Sequence, residues 1–102
     1  MAQIRWRRNT YTIQGRDGKE ERTGIISGYF GFGITGGKYG YGITHLPSGL
    51  KCGETRTQRG SKDLCEALLG LPVEWYLTDP MRGVGARVRD QVMEAVSAAR
   101  EK

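Results

Sequence analysis

The fold is decided by the stretch Ile25-Ile26-Ser27-Gly28-Tyr29-Phe30-Gly31-Phe32-Gly33-Ile34-Thr35-Gly36-Gly37-Lys38-Tyr39-Gly40-Tyr41-Gly42-Ile43-Thr44-His45. Successive strand side chains point to opposite faces, so period-two alternation identifies a sheet. Between Ile25 and Ile34 the even positions Ile26, Gly28, Phe30, Phe32 and Ile34 predict the core face, and the odd positions Ile25, Ser27, Tyr29, Gly31 and Gly33 the opposite one. Thr35-Gly36-Gly37-Lys38 predicts a turn. After it, Tyr39, Tyr41, Ile43 and His45 share one face of a further strand, with Gly40, Gly42 and Thr44 on the other.

Upstream, Ile4 and Trp6 alternate with polar residues, as do Tyr11 and Ile13, but the pairs are out of phase. A bulge or kink near Arg8-Asn9 is therefore expected. Asp17-Gly18 is a two-residue hairpin signal that leads into a strand running to about Ile34, with Gly24 as a candidate break. Downstream, Pro47-Ser48-Gly49 turns the chain into a short fourth strand with Leu50 and Cys52 pointing inward.

Composition changes near residue 60, because thirteen of the sixteen glycines lie between Gly15 and Gly60 and helix formers follow. Ser61 is a candidate N-cap for a helix over 60–70, whose stripe is Leu64, Cys65, Leu68 and Leu69 and whose end is Gly70. Asp79-Pro80 opens a second helix over 79–100, with Val84, Val88, Val92, Ala95, Val96 and Ala99 at helical spacing. The expected architecture is a single α+β domain over 1–102. An antiparallel sheet of about four strands (residues 3–57) is packed by two C-terminal helices.

The 102 residues leave room for one modest core. A mean hydropathy of −0.54, and a start without the apolar run of a signal peptide, predict a soluble, cytoplasmic protein with no membrane partner. Cys52 and Cys65 fit that setting as reduced thiols, since a secreted disulfide scaffold of this size carries more cysteines. The net charge of +5 favours an acidic partner. Residues 1–22 carry +3, 23–50 carry +1, 51–63 carry +2 and 64–102 carry −1, so positive charge sits in the N-terminal half.

Four chemical readings fail on residue context. Gly31-Phe32-Gly33-Ile34-Thr35-Gly36 spells a dinucleotide fingerprint, but no helix follows to receive a pyrophosphate. Lys38 lacks the following Ser/Thr and helix of a phosphate-binding loop. His45, Ser48 and Asp63 invite a triad, yet nothing in the sequence supplies an oxyanion hole. His45, Cys52 and Cys65 offer three zinc ligands with no C-x-x-C anchor. No catalytic residue, metal or cofactor is therefore expected.

Two surfaces remain as binding candidates. Gly31 and Gly33 are expected to lie near Gly40 and Gly42, which makes a face without side chains that another backbone can approach, bordered by Tyr29, Lys38 and Thr44. A second combines Arg5, Trp6, Arg7, Arg8 and Tyr11 with Lys51, Arg56, Arg59 and Lys62, basic side chains interleaved with aromatics that suit phosphates and bases or an acidic protein surface.

Over about residues 23–70 the order of hairpin, strand, turn and helix resembles the three-stranded-sheet-plus-helix DNA-binding domains of plant ethylene-response factors and integrase arm-binding domains. The strands present glycine where those sheets carry Arg and Trp. The segments Gly42-Ile43-Thr44-His45-Leu46-Pro47-Ser48-Gly49-Leu50 and Leu71-Pro72-Val73-Glu74-Trp75 resemble small phage and mobile-element proteins, among them anti-CRISPR and other counter-defence proteins. That resemblance implies a non-enzymatic inhibitor whose partner is a host protein or ribonucleoprotein complex. A DNA- or RNA-binding domain is the alternative.

Overall fold

The computed structural model describes residues 6–27 and 31–102. Five strands, β1 (Trp6–Gly15), β2 (Gly18–Ser27), β3 (Phe32–Gly37), β4 (Gly40–His45) and β5 (Leu50–Thr55), form one antiparallel sheet in chain order. Two helices follow, α1 (Gln58–Leu69) and α2 (Ala86–Ala99). The α+β architecture with helices after the sheet matches the expectation, with five strands in place of about four.

The extra strand arises where one long strand was expected. β2 and β3 are separate and antiparallel, with Ile25 opposite Ile34 and Ile26 opposite Gly33. The side-chain phase accordingly changes between them. Ile25, not Ile26, packs against the core cluster, together with Phe32 and Ile34. Gly31 enters β3 at φ +36° against Leu46 and Pro47, a backbone conformation that glycine adopts without steric cost. No bulge interrupts β1, which pairs residue by residue from Trp6↔Ser27 to Gly15↔Gly18. The opposed phases of Trp6 and Tyr11 have another cause: Trp6 packs against the core beneath the helices, whereas Tyr11 is buried on the other face.

The helix-side core gathers Phe32, Ile34 and Ile43 from the sheet, Leu64, Cys65 and Leu68 from α1, Val92 and Ala99 from α2, and Trp75 from the connection. Complete burial of a Phe, Ile or Leu side chain contributes about 1.5–3 kcal/mol. Trp75 locks the connection: its indole N–H donates to the Leu68 carbonyl at 2.8 Å, and its ring meets Phe32 edge-on at 5.3 Å. Leu50 does not join this core and is largely exposed, although Cys52 packs against it. A register shift between Ile43 and Thr44 alters the pairing of β4 with β5 there.

Helix α1 starts earlier than expected. Thr57 is its N-cap and accepts from the Gly60 amide at 3.0 Å, while Ser61 is buried inside the helix and bonded to Thr55. Helix α2 starts later, at Ala86, because Gly83 sits at φ +80° and Gly85 is extended. Arg82 consequently lies outside the helix.

Candidate functional site: a glycine-floored cleft on the outer sheet face

The face away from the helices is curled. Pairing of β2 with β3 stops at Ile25, and Gly24 lies so close to β3 that a Cβ there would come within 2.1 Å of the Ile34 carbonyl oxygen. The β1–β2 hairpin continues past the sheet and returns at Gly49, whose carbonyl accepts from the Gln14 amide at 2.7 Å. The rim of the sheet is thereby partly closed. Between the hairpin and β3–β4–β5 lies a cleft of about 430 Å³, within the range of ligand-binding pockets.

The outer sheet face carries two different kinds of glycine, one beside the cleft and one lining it. Gly33 is filled from within the molecule: the Tyr11 ring lies against it, and the phenol hydroxyl hydrogen-bonds Thr35. Burial pushes the Tyr11 pKa up, against the lowering effects of that hydrogen bond and of Arg22. Gly37, Gly40 and Gly42 line the open part, whereas Gly36 lies against the Tyr41 ring. Gly40 is required by its backbone, at φ +134° with the Thr55 carbonyl 2.5 Å from where a Cβ would sit. Gly42 is unconstrained in this sense, since a Cβ there meets only Lys51 Cε, at 3.6 Å.

The glycines are therefore not grouped as the sequence suggested. Gly33 is opposite Thr44, Gly42 opposite Thr35, and Gly37 opposite Gly40. Gly31 precedes β3 and packs on Pro47, away from the cleft lining. The outer face is bare at Gly37, Gly40 and Gly42.

Charges ring this floor. Lys51 binds Glu54, and that hydrogen bond followed by the Lys51 charge lowers the Glu54 pKa. Arg22 pairs with Glu20 at 2.5 Å and donates to the Glu21 carbonyl at 3.2 Å. Lys38 lies 5.6 Å from the ring centre of Tyr39, which is 90% exposed at the hairpin tip. Among the described residues Lys38 has no carboxylate partner. Sequence alternation had assigned Tyr39 to the core face. It occupies the Lys38-Tyr39 turn instead, because β3 extends through Gly37.

The basic aromatic surface is not assembled as expected. Trp6 packs against the core, and the Tyr11 ring is buried. Arg7 is exposed on β1, paired opposite Ile26. Arg56 binds Glu101 at 2.9 Å and Arg59 binds Asp63 at 3.2 Å, both around the start of α1. Arg5 and Tyr29 lie outside the described residues.

His45 and Ser48 do meet, with His45 Nδ1 2.7 Å from Ser48 Oγ. The other ring nitrogen faces the Trp75 carbonyl at 2.5 Å, where only an N–H can bond, and Ser48 Oγ donates to the His45 carbonyl at 3.2 Å. Asp63 is engaged by Arg59. Ser48 Oγ also accepts from the Leu50 amide, at 3.1 Å. The pair secures the β4–β5 turn to the core.

Sequence reasoning missed Ile13, Gln14, Arg22 and Glu54 as cleft residues. The available signal was volumetric: a large Tyr11 in alternation with Ile13 needs a face of small residues to lie on, and the glycines of β3 supply one. No family model, curated protein or solved structure matches the chain. Among the described residues no helix is long and apolar enough to cross a membrane.

Proposed function

We propose that this chain is a non-enzymatic binding protein, an inhibitor of the counter-defence type, that blocks a host nucleic-acid-handling complex by docking its outer sheet face on a protein surface. The observation that carries this reading is the glycine-floored cleft beside an exposed Tyr39. Interface cores are enriched in aromatic anchors, and tyrosine supplies large contact area at small entropic cost. Gly37, Gly40 and Gly42 let a partner backbone come close to β3 and β4.

Charge pairing favours a protein over a nucleic acid. Duplex binding draws on several cations neutralising successive phosphates. Here Arg22, Lys51, Arg56 and Arg59 each bind a carboxylate of this same chain. A gel-shift titration on duplex and single-stranded DNA at two salt concentrations tests the choice. Binding no tighter than the nonspecific level of roughly 10⁻⁴–10⁻⁶ M is expected near physiological salt. Submicromolar binding that weakens on combined Arg5 and Arg7 substitution would turn the assignment to a DNA- or RNA-binding domain.

A further inference from the structure

We infer that the cleft accepts an extended acidic segment of the partner protein, seated along the glycine floor with a carboxylate facing Lys38. This deepens the docking assignment above and rests on it. Arg22, Lys38 and Lys51 line the cleft against the single carboxylate of Glu54, so the lining is net positive. Two of these cations already hold carboxylates in the free protein, Arg22 that of Glu20 and Lys51 that of Glu54. Lys38 alone among them is uncommitted to a carboxylate, and it stands at the hairpin tip beside exposed Tyr39.

The form of the cleft selects the guest further. Gly37, Gly40 and Gly42 present backbone, so a main chain can lie close to them, while Ile13 gives apolar contact to a guest side chain. Glu54 opposes a polyanion. Its pKa is lowered by Lys51, which keeps it charged, and a run of phosphates in the cleft would face that charge. Isolated carboxylates on an otherwise neutral chain can be placed opposite Lys38 and away from Glu54.

The test is an NMR titration of isotope-labelled protein with the peptide acetyl-Val-Glu-Val-Glu-Val-Glu-amide, its Val-Gln counterpart and an oligothymidylate of similar length. The acidic peptide is expected to move the amide signals of Gly36, Gly37, Gly40 and Gly42 and to bind more tightly than the Gln peptide. Lys38→Gln, in an exposed turn, should weaken it by about twofold to fivefold, the range of a solvent-exposed ion pair. Unmoved glycine signals, equal affinity for the Gln peptide, or tighter binding of oligothymidylate would overturn the inference. If Gly42→Leu abolishes capture of a protein partner while the acidic peptide moves nothing, the docking surface stands and the acidic guest is refuted.

Discussion

The ring of Tyr11 occupies the space that a side chain on Gly33 would need: a Cβ built there comes within 2.6 Å of the ring's Cζ. Two residues twenty-two positions apart are thus one packing unit, which sets the curl of the β1–β2 hairpin over the sheet. The unit divides the glycines of the outer face into those that admit Tyr11 and those left open for a partner.

Gly33→Val should therefore act on stability. Overpacking of a filled site costs about 1–3 kcal/mol, whereas Gly42→Val, which meets only Lys51 Cε at 3.6 Å, should stay within about 0.5 kcal/mol of wild type. Urea unfolding of both variants checks this. Equal losses would show that Tyr11 and Gly33 are not packed as described.

Tyr11→Ala removes the other half of the unit and should cost about 3–5 kcal/mol, the usual range for a large aromatic truncated in a core. Tyr11→Phe loses only the bond to Thr35 and should cost about 1 kcal/mol. A small effect of the alanine variant in thermal or urea unfolding would contradict the ring's burial.

The strands and both helices were legible in the sequence because alternation through Phe32, Ile34, Tyr41, Ile43 and His45, and the helical stripe at Leu64, Cys65 and Leu68, are strong local patterns. The break between β2 and β3 was not. Its two flanks are both apolar alternations, and only the pairing of Ile25 with Ile34 reveals the phase change. The cleft was half legible: glycines on one face marked open space, but which of them Tyr11 fills depends on a hairpin that crosses the sheet. Helix starts shifted for local reasons, Thr57 capping ahead of Ser61 and Gly83 with Gly85 delaying α2.

His45 should matter for folding and not for chemistry. Both ring nitrogens are bonded inside the protein, to Ser48 and to the Trp75 carbonyl. His45→Ala should cost about 2–4 kcal/mol and Ser48→Ala about 1 kcal/mol, while partner affinity of the folded fraction stays unchanged. Isothermal titration below the unfolding transition separates the two effects. A loss of affinity at full folding would assign the pair a functional role.

Burial pushes the Cys52 thiol from the ordinary 9.0 to about 12 and raises Cys65 as well. The folded state thus holds these protons more tightly than the unfolded chain. Their contribution to stability is complete below pH 9.0, the unfolded value of Cys52, and is lost as pH rises through about 12. Urea midpoints should show no loss from these thiols up to about pH 9 and should fall above it, by less in a Cys52→Ala variant. Both thiols should resist alkylation in the native protein and react in urea. Fast alkylation of native Cys65 would contradict its burial.

The most direct measurement is capture of protein partners from a bacterial lysate by wild type, Gly42→Leu and Met93→Lys, with all three shown to be folded. Gly42→Leu fills the cleft floor, and Met93→Lys alters an exposed position on α2. A partner that is held by wild type and Met93→Lys but lost by Gly42→Leu is the predicted result. Retention of the same partner by Gly42→Leu, or its loss through Met93→Lys alone, would contradict docking through the outer sheet face.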